Sequence, residues 1–285
     1  MKRDDNPFEF RIYSNNVRVD SPESKRFPSE KGWSQRKDGA VGAIKSQISD
    51  YPTLIAIQEA KHNQLVDIKR GLNGNNNENF PYNHYGVGRD DGKEAGEYAA
   101  IIYNTQDWNL LNGSYKWLSP TPDTPSKAWG ASNIRIVTFT TLQHKQSGKI
   151  VNFLNTHFDQ TSEEARQKSA SLIVDWIDQI PNDYPVFLSG DFNSLSSDAS
   201  YQTISTKLAD TDKKAYNHYN QNWNTYTGFE STDVQSVIDF IFAPQDSNTG
   251  SNPVTVIGHE VIPNNYNDYL FSDHRPVSTH FKLKW

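Results

Sequence analysis

The sequence predicts an α/β protein: two packed sheets, mainly antiparallel or mixed, with helices on their outer faces. Two observations carry this. Strand-like segments outnumber helical ones, and the helices fall between groups of strands, where a doubly wound parallel sheet would alternate them regularly. A third bears on domain count. The 285 residues show no internal repeat and no linker, which suits one large domain over 1–285.

Phe8 to Val17 reads as the first strand, with Phe8, Phe10 and Ile12 alternating with polar residues. Arg36 to Tyr51 reads as a helix, with Val41, Ile44 and Ile48 at helical spacing and Pro52 as its stop. Thr53 to Gln58 is a short buried strand closed by Glu59, and Lys61 to Leu72 a second helix. Gly71 to Asn79 is an Asn-rich loop, Tyr82 to Val87 a strand, and 88–96 a charged loop. Glu97 opens the strand Tyr98 to Tyr103. Trp108 to Trp117 is expected to be a strand pair, and Ser119 to Gly130, with three prolines, a loop. Arg135 to Leu142 and Ile150 to Asn155 form a hairpin around Gln146-Ser147-Gly148. Glu163 to Ile180 is the clearest helix, opened by a capping box of Thr161 and Glu164. Ala199 to Leu208 reads as helical; Val237 to Phe242, Val254 to Ile262 and Val277 to Trp285 read as strands.

Hydrophobic residues make up 35% and aromatics 12%, so polar loops surround a compact, aromatic-rich centre. No run approaches the roughly 20 apolar residues that span a bilayer, so no membrane span is expected. The start, Met1-Lys2-Arg3-Asp4-Asp5, lacks an apolar signal region, which leaves cytoplasmic and secreted placements both open. There are no cysteines, which excludes disulfides and zinc-thiolate sites. A net charge of -6 argues against broad duplex binding but not against a nucleotide or single strand entering a metal-loaded cleft. A monomer is expected.

The chemistry is concentrated around Leu188-Ser189-Gly190-Asp191-Phe192-Asn193. A buried strand from Pro185 breaks at Gly190 and delivers Asp191 and Asn193, two apart and therefore on one side. An acid can take a proton from water while a neighbouring amide donates to a phosphoryl oxygen. Other apolar runs close in the same way, at Asn16, Glu59, His157 with Asp159, and Asp273 with His274. Asp239 interrupts the apolar strand Val237 to Ile241, a costly place for a charge without a partner or metal. Singly, these residues have ordinary readings: Asn16 a turn residue, Glu59 a helix N-terminal acid, Asp273 a cap. Jointly, so many oxygen ligands at strand ends suggest a hard cation, Mg2+ or Mn2+.

The ordered series Asn16, Ile57-Gln58-Glu59, Asn155-Thr156-His157-Phe158-Asp159, Gly190-Asp191-Phe192-Asn193, Ile238-Asp239-Phe240-Ile241 and Ser272-Asp273-His274 resembles the endonuclease/exonuclease/phosphatase superfamily, the deoxyribonuclease-I-like fold. The resemblance covers nearly the whole chain. The loop from Gly88 to Tyr98, with Trp117-Leu118-Ser119 and Ser126 to Trp129, is similar to a microbial branch related to deadenylase-type exoribonucleases. The resemblance implies a four-layer α/β sandwich with its site at one edge. It implies that Glu59 is the main metal ligand, with Asn16 and Asp273 beside the metal. Asp191 would orient or deprotonate the attacking water, and Asn193 would donate to the phosphate. His274, held by Asp239, would contact a phosphate oxygen or act as a base. His157, paired with Glu97, would stabilise or protonate the leaving oxygen.

Around that centre, Arg135 is expected to reach the phosphate, with an ordinary surface arginine as the alternative. Asp159, Arg89, Lys93 and Lys127 are further substrate-contact candidates; a solvated loop is the other reading for the charged run at 89–94. Trp33 and Trp129 could stack a base or pack in the core. Arg166 and Lys168 are expected to solvate their helix.

The favoured function is a metal-dependent phosphodiesterase or nuclease, exoribonuclease-like, acting on single-stranded nucleic acid or nucleotides with activated water. The alternative is a phosphatase or phosphodiesterase of small or lipid-like phosphoesters, of inositol phosphate or sphingomyelin type. A catalytically dead binding module is the remaining rival, and it predicts decay at site positions that are here all filled by competent residues.

Overall fold

The computed structural model describes residues 7–74, 81–249 and 252–284. Much of the Asn-rich loop expected up to Asn79, and the final Trp285, lie outside the described residues. The strands in chain order are β1 Phe8–Asn16, β2 Thr53–Gln58, β3 Tyr82–Tyr85, β4 Ala99–Asn104, β5 Trp108–Trp117, β6 Ile136–His144, β7 Ile150–His157 and β8 Val186–Asp191. They continue as β9 Leu208–Asp210, β10 Asn217–Tyr219, β11 Asp239–Pro244, β12 Val254–Val261, the short pair β13 Asn265–Tyr266 and β14 Tyr269–Leu270, and β15 Val277–Leu283. The helices are α1 Trp33–Lys45, α2 His62–Leu72, α3 Glu163–Asp178, α4 Ala199–Ser205 and α5 Thr211–Lys214.

Two sheets form, in the orders β10-β12-β15-β1-β2-β4-β3 and β5-β6-β7-β8-β11-β9. Each has one parallel pair at its heart, β1 with β2 and β7 with β8, and is otherwise antiparallel around it except at the β10 edge. Period-two alternation divides each central strand between two cores. Phe10, Ile12, Leu54 and Ala56 face Phe153, Phe187 and Ile241 between the sheets. Tyr13, Ile55 and Ile57 face outward onto Ile44, Leu65 and Ile68 of α1 and α2. Leu154, Leu188 and Phe240 face outward onto Ile173, Ile177 and Tyr201 of α3 and α4. The result is the expected four-layer α/β sandwich.

Several local expectations are corrected. The segment Trp108–Trp117 is one strand, with a bulge between Leu110 and Asn112, because β6 pairs along its whole length. Helix α1 starts at Trp33 and ends at Lys45, earlier than Arg36 to Tyr51. Its start is fixed by burial of Trp33 and Arg36; the Arg36 guanidinium donates to the carbonyls of Val17 and Phe271, 2.8 Å each. The cap of α3 is Ser162, whose Oγ accepts from Ala165 N, while Thr161 N donates to Asp159. Helix α4 stops at Ser205, and Leu208 opens a strand on β11. The strand at Tyr82 ends at Tyr85. Strand β8 does not break at Gly190; it runs through to Asp191, keeping register with both β7 and β11.

Candidate active site

The ends of the two parallel pairs meet at one edge of the sandwich. Asn16 ends β1, Glu59 follows β2, His157 ends β7 and Asp191 ends β8. Asp239 opens β11 directly opposite Asp191, and Asp273-His274 precede β15. Just beneath, Gln58 and Asn155 tie the sheets together: Gln58 Nε2 donates to Asn155 Oδ1 at 2.7 Å, and Asn155 Nδ2 to the carbonyls of Ile57 and Ala100. A cavity of about 660 Å3 opens above them. Glu59, His157, Asp191, Asn193, Asp273 and His274 all line it.

Asp191 is the hub. Its Oδ1 accepts from Asn193 N, and its Oδ2 accepts from Asn16 Nδ2, both at 2.9 Å. The Nε2 atoms of His157 and His274 lie 3.4 and 3.7 Å from the same Oδ2. Burial, then the Asp239 charge, push Asp191 up to about 7. His274 Nδ1 meets Asp239 Oδ2 at 2.8 Å. Burial opposes its charge, yet Asp239 and Asp191 outweigh burial and hold His274 well above 6.5. His157 is the reverse case. Burial, then Arg135 and Arg89, hold it well below 6.5. The Asn193 amide, 3.2 Å from His157 Nε2, donates to the carbonyl of Phe158 and so braces the imidazole.

Glu59 takes a left-handed backbone, φ 64, as do Arg18 at 58 and Asn193 at 46. Non-glycine residues hold that region only where surroundings enforce it, and such positions gather at functional sites. Here Asn16 Nδ2 donates to Glu59 Oε1 and Val19 N to Oε2. Burial raises the Glu59 pKa, but Arg18 and Asn16 prevail and keep it below the usual carboxylate value. Asp273 is pushed up by burial, with Glu59 adding to it. The buried carboxyls of Asp191 and Asp273, held beside the part-buried Glu59, fit a hard divalent cation. Ligand atoms of Glu59, His157 and Asp191, and of Asp191, Asp239 and His274, lie close enough to form candidate cation sets.

Several expectations change. Asn16 Oδ1 accepts from Arg18 N, so the amide turns its donor side to the carboxylates and braces them. Glu97 pairs with Arg89, at 2.7 Å; the carboxylates within ion-pairing reach of His157 are Asp191 and Glu59. Burial, then the Glu59 charge, raise Glu97 to about 7. Asp159 is structural. One oxygen accepts from Ser132 N, Ser132 Oγ and Asn133 N, the other from Thr161 N and Ser162 N. Burial works against its charge, but these donors outweigh it and hold the pKa at about 2. Lys127 donates to the Ser132 carbonyl and lies outside the cavity lining. Trp33 is core, its Nε1 bonded to Asp67. Arg166 reaches back to the Asp159 carbonyl. Arg89 and Arg135 do line the cavity. The sequence reading missed Arg18, Phe27 and Tyr226, which line it too. Arg18 was within reach, two residues beyond Asn16.

A sandwich of this topology, with acids and two histidines gathered at one edge around a cavity, defines the class: a phosphoesterase fold. The family model described as Endonuclease/Exonuclease/phosphatase family matches residues 16–274, and the chain belongs to that family. Among solved structures, an endonuclease/exonuclease/phosphatase family protein of Bacteroides thetaiotaomicron is 28% identical, with 98% of this chain and 100% of that one covered at a TM-score of 0.85. A family member from Bacteroides vulgatus is 33% identical, with 96% and 99% covered and a TM-score of 0.81. A mannosyl-6-phosphatase of Bacteroides thetaiotaomicron is 30% identical, with 95% and 99% covered, also at 0.81. No helix of the described residues is long and apolar enough to cross a membrane.

Proposed function

We propose that the chain is a divalent-metal-dependent hydrolase of small phosphate esters. The observation that carries this is a cavity of about 660 Å3 lined by Glu59, Glu97, His157, Asp191, Asp273 and His274, with Asp239 behind His274. That is the size of a small-molecule pocket. The net charge of -6 points the same way, away from a polyanionic strand. The likeness to a mannosyl-6-phosphatase adds support for a sugar-phosphate-like ester.

Glu59, Asp191 and Asp273 would hold Mg2+ or Mn2+, which when bound neutralises charge on the phosphoryl group. Asp191, facing the cavity, takes a proton from water as the water oxygen bonds phosphorus. His274, charged and fixed by Asp239, donates to a phosphoryl oxygen. The P–O ester bond breaks, and the departing oxygen needs a proton. Neutral His157, 3.4 Å from Asp191, relays the one that Asp191 accepted. Asn193 steadies the imidazole, and no covalent intermediate forms.

A phosphodiesterase or nuclease acting on nucleotides or single strands is the second reading. It is favoured by the ring of Phe27 at the cavity, 53% exposed and free on one face to stack a base. The test is a panel of sugar phosphates, inositol phosphates, bis-p-nitrophenyl phosphate, single-stranded RNA and single-stranded DNA, each with Mg2+, with Mn2+ and with chelator. Metal-dependent phosphate release from small monoesters supports the first reading. Strand shortening with monoesters untouched replaces it with the second.

A further inference from the structure

The cavity is asymmetric. Read across both sheets, the groups of the site run in strand order from His274, just before β15, and Asp239 on β11, through Asn16 and Asp191 on β1 and β8, to Glu59 and His157 by β2 and β7. One strand further, before β4 and β6, come Arg89, Glu97 and Arg135. From β11 to β6 there are three strand spacings, about 14 Å. A single phosphoryl group bridges only a small part of that distance.

The far end has donors without acceptors. Arg135 is 5% exposed, yet its Nε and Nη1 have no hydrogen-bond partner; only Nη2 is used, on Gln160. Its neighbour Asp159 cannot serve, because both of its oxygens are filled by the loop and helix N–H groups, and Arg135 Nε stays 3.8 Å away. Arg89 gives Nη1 to Glu97 while its buried Nε has no hydrogen-bond partner, Asp90 Oδ1 standing off at 3.9 Å. Arg18, the third guanidinium of the cavity, differs: it is committed to Glu30 through Nε and Nη2 at 3.3 Å each. Buried guanidinium N–H groups left unmet are costly, and an anion with several acceptor oxygens is the ligand that meets them.

Resting on the phosphoesterase reading, we propose that Arg89 and Arg135 form a second anion pocket beyond His157, which receives an acidic group carried by the leaving half of the substrate. That group is a carboxylate or a second phosphate. A small diacid supplies it directly; the neighbouring phosphate of a nucleic acid strand is the other source.

The test compares matched esters on the metal-loaded enzyme: glycerol 3-phosphate against 3-phosphoglycerate, and mannose 6-phosphate against mannose 1,6-bisphosphate. A short single-stranded oligonucleotide is the strand arm. The expected result is at least a tenfold higher kcat/KM for the acidic member of each pair, carried mainly by KM. Arg135→Met lowers the acidic member by a further tenfold relative to its neutral partner, and Arg135→Lys, which keeps charge but loses the fork, falls between. Equal kcat/KM within each pair, or an equal loss on both members in Arg135→Met, overturns the pocket. A preference confined to the oligonucleotide overturns the small-diacid source and assigns the pocket to a strand. A separate readout needs no turnover. Calorimetry with inorganic phosphate in chelator should show binding that survives Glu59→Gln and is lost in Arg135→Met and Arg89→Gln. Phosphate binding unchanged in the arginine variants overturns the pocket. Arginine-dependent phosphate binding without hydrolysis of any ester keeps it and overturns the phosphoesterase reading.

Discussion

Asp239 Oδ2 lies 2.8 Å from His274 Nδ1, and this contact turns the other ring nitrogen toward Asp191. The pair is buried, and Tyr226 packs edge-on against the imidazole at 5.0 Å. His274 is therefore a fixed cation aimed at the hub of the site. The carboxylate comes from β11 of the other sheet, where Asp239 faces Asp191 in register.

Asp239→Asn removes the charge and keeps the shape. The His274 pKa should fall, read from its ring signals in an NMR titration, and kcat should drop about 100-fold, within the usual range for losing acid–base or oxyanion assistance. In the wild type the folded pKa is raised above the unfolded value. Its stabilisation is fully present below about 6.5 and is lost as pH climbs through the raised folded value. Asp239→Asn should flatten that alkaline limb of the stability curve. An unchanged His274 titration would refute the pairing as its cause.

Glu59→Gln deletes the carboxylate charge and keeps, through its one amide oxygen, only one of the Asn16 and Val19 contacts. Metal-dependent turnover should fall at least about 1,000-fold, as expected for losing a main metal ligand. The melting temperature in chelator should hold or rise, because Glu59 sits in a crowded acidic cluster. Stabilisation by added Mn2+ should shrink in the same variant. Turnover that persists with Mn2+ would remove Glu59 from the metal set.

Asp191 titrates near 7 because burial and Asp239 disfavour its charge. A cation must displace that proton, so apparent Mn2+ affinity should rise between pH 6 and 8, with proton release on binding. Calorimetry in two buffers of different ionisation enthalpy reads the released proton. In the metal-free protein a carboxyl pKa raised to about 7 costs stability as pH rises above the unfolded value, so the melting temperature should fall from about pH 4 to about 7 and level off above it. Added metal should reverse the trend. A pH-independent Mn2+ affinity would contradict the buried-acid account of the hub.

The strand ends were legible because period-two alternation stops abruptly at polar residues, and the buried apolar runs around Asp191 and Asp239 mark two neighbouring strands of one sheet. Residues whose role depends on distant partners were not legible. Asp159 follows His157 by two residues and looks like a site acid, but its oxygens are consumed by loop and helix N–H groups 26 and 27 residues earlier and just after it. Glu97 and Arg89 lie in one charged loop, and nothing local says that they pair with each other and leave His157 to Asp191. Arg36 reads only as the start of a helix, yet it is buried inside one and holds the chain leaving β1 by its carbonyls. The error at Gly190 has a related cause: glycine in a strand reads as a break, whereas here it permits close approach.

Gly190→Ala tests that approach. A Cβ at Gly190 would sit 2.1 Å from the Thr156 carbonyl oxygen, with the Thr156 carbonyl carbon at 3.0 Å. Both belong to β7, whose parallel pairing with β8 places His157 opposite Asp191. Backbone cannot move aside as a flexible side chain can, so the strands must separate. The expected cost is about 3 kcal/mol or more, at the severe end for overpacking, read by denaturant unfolding. Gly148→Ala is the control. Its φ of 69 gives ordinary backbone strain, with nothing within 4 Å, and about 1 kcal/mol is expected. The variants should also differ in function at temperatures where both are folded. Gly190→Ala pushes Asp191 away from His157 and should lower kcat, whereas Gly148→Ala, in the distant β6–β7 turn, should not. Equal stability losses would mean that the glycine serves backbone conformation alone, and that the close packing of β7 on β8 is not what holds Asp191 against His157.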